Sequence, residues 1–198
     1  MTIIDLIRHG EPVGGSKYRG QIDDPLSEKG WAQMRAAVAD HRPWDVIVSS
    51  TLSRCADFAR ELAARHALPL EFDQRLIEIG FGEWEGLTAA EVTAQNPLLL
   101  KQFWVDPINT SPPGAEPLAA FYDRVIPAWE DLLTRHAGKH VLIVGHAGVI
   151  RMIVHRVLDM PLERMFRLQV PNAGITRIRM DESEGQILPS LLFHAGAL

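Results

Sequence analysis

Cysteine is almost absent from this 198-residue chain: Cys55 stands alone, so no internal disulfide can form, and no CxxC or HExxH pairing offers a ready metal site. Disulfide-stapled scaffolds and zinc modules are excluded. Long hydrophobic runs are missing too. Stretches such as Ile3–Ile4 and Val141–Val144 have strand length, and Asp5, Arg8 and His9 interrupt the start where a signal peptide needs an unbroken apolar segment. A membrane-embedded protein is excluded, and a cytoplasmic one is expected. Positive charge is not in excess: 20 Lys and Arg stand against 25 Asp and Glu, a net charge of −5, so no broad field exists to hold a nucleic-acid backbone. An anionic ligand would have to be held by a few arginines converging in one pocket. What is present is ordinary globular composition, with 46% hydrophobic and 23% charged residues. A chain of this size buries roughly 70% of its unfolded surface, and one domain over residues 1–198 is expected.

Along the chain, Met1–Ile7 is a short β-branched run ended by Arg8, His9 and Gly10, the pattern of a buried central strand. Glu11–Pro25 is a long Gly- and Pro-rich loop, the length at which loops carry function. Ser27 offers an N-cap for a helix over Glu28–Asp40, and a second unit follows with a strand at Val46–Val48 and a helix at Ser53–Arg65. Leu68–Phe72 reads as a third strand and Arg75–Gly86 as an aperiodic loop. Thr88–Gln95 and Leu98–Trp104 read as short helices before the Pro-rich stretch Asp106–Pro117, and 87–117 together form an inserted cap. Leu118–His136 is helical, with Pro127 bending it or marking a break. His140–Val144 is an apolar strand, Val149–Leu158 a helix, and Met165–Val170, Gly174–Met180 and Leu188–His194 are strands, with turns at Pro171–Ala173 and Asp181–Gly185.

This alternation implies an α/β fold, a three-layer α/β/α sandwich around a mainly parallel sheet with a small helical cap, whose ligands bind beyond the carboxyl ends of the strands. Arg8 and His9 follow the first strand, Ser49–Arg54 the second and Gly145–His146 the fourth, so two histidines and two arginines from distant sequence meet on one edge. His41, His66 and His136 sit near helix ends, where a cation meets the dipole favourably, and need no other explanation. His9 and His146 differ: each lies just past a buried strand and beside a glycine.

Leu6-Ile7-Arg8-His9-Gly10-Glu11 resembles the Arg-His-Gly signature of the histidine phosphatase superfamily, also called phosphoglycerate-mutase-like. The resemblance extends in order along nearly the whole chain. Gly20–Ser27 with Gly30 is similar to that family's loop into its first helix, Ser49–Arg54 to its second arginine motif, Leu76–Gly86 to its acid-bearing segment and Val144–Arg151 to its second-histidine motif. Transfer of a phosphoryl group from a monoester needs an in-line nucleophile, positive groups on the non-bridging oxygens and an acid for the leaving alkoxide. With the resemblance, His9 is expected to be the nucleophile, Arg8 and Arg54 the phosphate holders, His146 a second imidazole on the phosphate, and Glu78 the proton donor, its pKa raised by burial or by the phosphate dianion. Glu83 and Glu85 compete for that last role, and the family alignment favours Glu78.

Other positions carry two readings. Arg19 either touches a substrate phosphate or is a solvated loop arginine, and Asn172 either forms a turn or gives a pocket hydrogen bond. Cys55, where the family commonly has alanine, reads as a packing residue. No metal and no cofactor are implied. The partner is a small-molecule phosphomonoester, and a homo-oligomer is compatible with the sequence. Cofactor-dependent mutases of the family are longer and carry a Trp-Asn stretch where this chain has Pro12–Ser16, so a phosphatase is expected, with a mutase-type phosphotransferase as the alternative. Within the phosphatases, Glu11–Met34, Trp44–Ala56 and Pro112–Glu116 look most like bacterial α-ribazole phosphatases, which act in cobalamin assembly. A phospho-ligand binding module is the non-enzymatic alternative. It would not need His9, His146 and Glu78 together.

Overall fold

The computed structural model describes residues 1–183, 186–196 and 198. Six strands form one sheet: β1 (Thr2–Arg8), β2 (Val46–Ser49), β3 (Leu70–Phe72), β4 (His140–Gly145), β5 (Ile175–Ser183) and β6 (Gln186–Gly196), in the order β3-β2-β4-β1-β5-β6. The first four run parallel, while β5 pairs antiparallel with β1 and β6 antiparallel with β5. The helices are α1 (Glu28–Val38), α2 (Ser53–His66), α3 (Ala89–Gln95), α4 (Pro97–Val105), α5 (Leu118–Arg135) and α6 (Ala147–Val157).

Alternation along the central strands divides the apolar core into two layers. Ile4 and Leu6 of β1 with Val141 and Ile143 of β4 face α5 and α6, whereas Ile7 with Leu142 and Val144 face α1 and α2. The expected three-layer sandwich is therefore the observed one. Helix α1 begins where Ser27 Oγ accepts from the Gly30 amide at 3.0 Å, and it buries Gly30, Met34 and Val38 at four-residue steps. It ends at Val38, two residues before the expected Asp40. Helix α5 is continuous across Pro127. The Pro127 ring removes one amide donor without ending the helix, because the apolar stripe Phe121, Val125, Ala128, Trp129 and Leu132 is buried on both sides of it.

One expected strand is absent. Residues Leu162–Arg167 form a 3-10 helix instead of the strand read over Met165–Val170. The carbonyls that a strand would offer a neighbour are taken by side chains: Leu168 O accepts from Arg151, Gln169 O from His194 and Val170 O from Arg8. The expected turn at Asp181–Gly185 is corrected in part, since Asp181–Ser183 continue β5, while Glu184 and Gly185 lie outside the described residues. Pro189 sits in β6, the edge strand, where a missing amide costs no ladder bond to a further strand. Among the described residues, no helix is long and apolar enough to cross a membrane.

Candidate active site

The site lies beyond the carboxyl ends of β1, β2 and β4, and strand register creates it. Arg8 pairs with Gly145 across the parallel β1–β4 ladder, and the His9 amide donates to Gly145 O at 2.9 Å. The residues after the two strands, His9 and His146, are thereby brought side by side, with ring centroids 5.2 Å apart and edges toward faces. The next strand adds Ser50, whose Oγ lies 2.7 Å from Nε2 of His146.

His9 is only 5% exposed and lines a cavity of about 210 Å³. Its Nδ1 is 2.7 Å from the carbonyl oxygen of Gly10. A carbonyl can only accept, so Nδ1 carries the proton and the lone pair is left on Nε2. Burial, followed by the charges of Arg8 and Arg54, holds the His9 pKa well below its ordinary value of 6.5. The ring is a neutral imidazole with a defined tautomer, the form in which a histidine is a nucleophile. His146, at the N-cap of α6, is fully buried and its pKa is likewise held well below 6.5, first by burial and then by Arg54. It stands behind His9 and is not itself a wall of the cavity. Sγ of Cys55 lies 3.6 Å from Nε2 of His146, and burial pushes the thiol pKa up. Cys55 is a packing residue under the second imidazole.

The arginines are held at their main-chain neighbours. Arg54, the second residue of α2 and 1% exposed, donates to Ile22 O and Gly20 O at 2.7 Å each, tying the long first loop to the sheet edge. Arg8 donates to Val170 O at 2.6 Å, and burial lowers its pKa. Among the described residues, each keeps a buried Nε without a protein partner. Arg19 is not a solvated loop residue: it is 7% exposed, donates to Asp24 at 3.0 Å and to Val13 O at 2.6 Å, and lines the cavity. Asn172 also lines it, but its side-chain amide donates to His9 O at 3.1 Å, and so it fixes the main chain of the histidine.

The three carboxylates of the glycine-rich segment separate by position. Glu78 faces the cavity and accepts the Gly148 amide, the second residue of α6, on both oxygens at 3.1 Å. A side chain at position 148 would collide with Glu78 Oε1, so glycine is required for this approach. Glu85 accepts from the amides of Gln21, Ile22 and Phe81 and holds the first loop in shape. Glu83 is exposed and does not line the cavity.

Several contributors were not singled out from sequence. Arg124 of α5 donates to the carbonyls of Arg75, Ile77 and Glu78 at 2.7, 2.8 and 2.9 Å and pairs with Glu116, which in turn accepts the Gly80 amide. This clamp holds the segment that carries Glu78. Arg151 lines the cavity three residues beyond Gly148, on the same face of α6. Tyr18, Phe81, Trp104 and Phe166 form the apolar wall, anchored by the buried Phe103, whose ring lies 5.3 Å from Trp104 and 5.1 Å from Phe166. The HxxxH spacing of His136 and His140 makes no pair: His136 lies against Glu71 and His140 against Asp5. Among the described residues, no group of three His, Cys, Asp or Glu side chains gathers to hold a metal ion.

The chain is similar to known proteins over nearly its whole length. The model of the histidine phosphatase superfamily, branch 1, matches residues 4–189. Phosphoserine phosphatase 1 of Hydrogenobacter thermophilus is 32% identical over 194 residues, covering 95% of this chain and 91% of that protein. The structure of a mycobacterial glucosyl-3-phosphoglycerate phosphatase superposes with a TM-score of 0.87 at 29% identity, covering 99% of both chains. That of the α-ribazole phosphatase from Shigella flexneri does so with a TM-score of 0.77 at 25% identity, covering 96% of this chain and 95% of the other. Some mycobacterial relatives at 32% identity are longer, and the chain spans about half of their length.

Proposed function

The chain belongs to the histidine phosphatase superfamily, and from that premise we propose that it hydrolyses a small phosphomonoester through a phosphohistidine on His9. The observation that carries this reading is the His9 ring itself: neutral, with its Nδ1 proton spent on Gly10 and its Nε2 lone pair free beside Arg8 and Arg54. In the first half-reaction Nε2 attacks phosphorus in line, the ester P–O bond breaks, and the Glu78 carboxyl gives its proton to the departing alkoxide. In the second, water attacks the phosphohistidine, its proton goes to the Glu78 carboxylate, and the N–P bond returns its electron pair to Nε2. Arg8 and Arg54 offset the charge of the phosphoryl oxygens. His146 packs its neutral ring behind His9 and positions it, and Asn172 and Arg19 keep the loops around it in place. The segment 87–117 acts as a cap whose Trp104 reaches the cavity.

Trapping tests the mechanism. Acid quenching of the wild type during turnover of labelled substrate should leave acid-labile, base-stable phosphate on one histidine, and His9→Ala should leave none. Label on serine or Cys55, or no label in an active wild type, overturns the covalent route. Turnover should also persist in excess EDTA, since the arginines are assigned the work of a metal. The finer substrate assignment rests on resemblance alone: the motifs point to α-ribazole 5′-phosphate, the similarity to the Hydrogenobacter enzyme to phosphoserine. A panel containing both, assayed for released phosphate, separates them.

A further inference from the structure

The cavity holds more positive charge than a phosphate needs. Arg8, Lys17, Arg19, Arg54 and Arg151 line it against two carboxylates, Glu11 and Glu78. Arg19 is matched by Asp24 and Glu11 by Lys29, at 3.0 and 2.8 Å. Lys17 stands at the exposed mouth, where water screens it. Arg8 and Arg54 answer the two charges of a phosphomonoester dianion. Arg151 remains, half-buried, with Glu78 as the carboxylate that acts on its charge.

Its surroundings hold the Arg151 guanidinium without satisfying it. Nε donates to Leu168 O at 2.8 Å, and the group lies 5.7 Å over the Phe166 ring. Among the described residues, its two terminal amino groups have no protein partner. A guanidinium fixed by one edge and open on the other is preorganised for a planar anion. Position decides which part of the substrate it meets. Arg151 lies one turn of α6 beyond Gly148, whose amide holds the Glu78 carboxylate, and both side chains line the same cavity, so it stands on the side of the group assigned to protonate the leaving oxygen. It therefore faces the carbons attached to that oxygen.

We propose that Arg151 is a specificity-determining residue that binds a carboxylate on the leaving group, selecting phosphomonoesters whose alcohol carries a carboxylate within a few bonds of the ester oxygen. The inference rests on the phosphatase reading above and deepens it. It also disfavours α-ribazole 5′-phosphate, whose alcohol has no carboxylate.

Matched substrates test it. 3-Phosphoglycerate and glycerol 3-phosphate share a skeleton and differ in a carboxylate against a hydroxymethyl group, and O-phosphoserine and O-phosphoethanolamine differ by a carboxylate. In each pair the wild type should favour the carboxylate member by about 10- to 100-fold in kcat/KM, the range for a charge-assisted contact in a site built to receive it. Arg151→Gln should bring that ratio near one, and Arg151→Lys, which keeps the charge but loses the fork, should retain an intermediate ratio. The ratio is the readout, because a purely structural loss lowers both members together. Equal turnover of the two members by the wild type, or a ratio that survives Arg151→Gln, overturns the inference and leaves the phosphatase reading standing. Absence of phosphate release from all four compounds and from p-nitrophenyl phosphate overturns both.

Discussion

Both carboxylate oxygens of Glu78 lie 3.1 Å from the amide nitrogen of Gly148, so the assigned acid rests on the first turn of α6, one residue beyond the helix start that His146 caps. The acid and the second imidazole are thereby fixed by one helix end. The partial positive charge of that end and its unpaired amides make it a natural seat for a carboxylate.

Replacing Gly148 by alanine puts a methyl group against Glu78 Oε1, the far end of a side chain that can swing away. The fold should survive at a cost of about 1–3 kcal/mol, as for other overpacking changes, while the carboxyl is displaced from its seat. Activity on an alkyl phosphate should fall about 10²-fold, the lower end of the range for general-acid catalysis, with thermal unfolding showing a folded protein. Full activity in Gly148→Ala would mean that this seat is not required.

The clamp behind Glu78 predicts a related effect at a distance. Arg124→Met removes the guanidinium from three carbonyls and from Glu116, leaving the Arg75 and Ile77 carbonyls without a side-chain donor, and should destabilise the protein by about 3 kcal/mol, seen in denaturant unfolding. Its kcat should fall more with alkyl phosphates than with p-nitrophenyl phosphate, because what is lost is the placing of an acid. A uniform loss over all substrates would make Arg124 a stability residue only.

The two imidazoles set the behaviour in acid. Both pKa values lie well below 6.5 in the folded chain and near 6.5 in the unfolded one, so below pH 6.5 the unfolded chain takes up protons that the folded chain does not. Their contribution to stability is complete above the unfolded value and is lost progressively as pH falls from about 6.5 toward the depressed folded values. The melting temperature should therefore drop on acidification through this window, and the drop should be shallower in a His9→Asn, His146→Asn double variant. Equal slopes in the two proteins would show that the rings already titrate normally when folded.

How far the sequence could be read depended on whether a residue's partners lie within its own element. Arg8, His9 and His146 were legible because an apolar strand that stops at a polar residue and a glycine states its own geometry, and adjacent parallel strands then bring those ends together. Ser27 as the start of helix α1 was legible for the same local reason. The 3-10 helix at Leu162–Arg167 was not, because its apolar pattern suits a strand and only the distant donors Arg8, Arg151 and His194 take the carbonyls that would have paired. Arg124 was illegible as well: on its own helix it is one more polar residue, and its targets lie 46 to 49 positions away. The separate duties of Glu78 and Glu85 arise from α6 and from the first loop, which the spacing of the carboxylates does not contain.

That separation gives the sharpest test of the site. An acid that protonates a leaving alkoxide matters most when the alkoxide is a strong base and little when it is already stable. Glu78→Gln should therefore cost on the order of 10²–10⁴ in rate with an alkyl phosphate and much less with p-nitrophenyl phosphate. Glu83 is exposed and away from the cavity, so Glu83→Gln should leave both rates nearly unchanged. Glu85→Gln removes a carboxylate oxygen that accepts loop amides, so it should loosen the loop that carries Gly20 and Ile22, the carbonyls that hold Arg54. Its signature is a raised KM for every substrate, with no dependence on the leaving group, because Arg54 belongs to the phosphate and not to the alcohol. A steep leaving-group dependence in Glu83→Gln or Glu85→Gln, with a flat one in Glu78→Gln, would move the acid role away from the residue seated on Gly148.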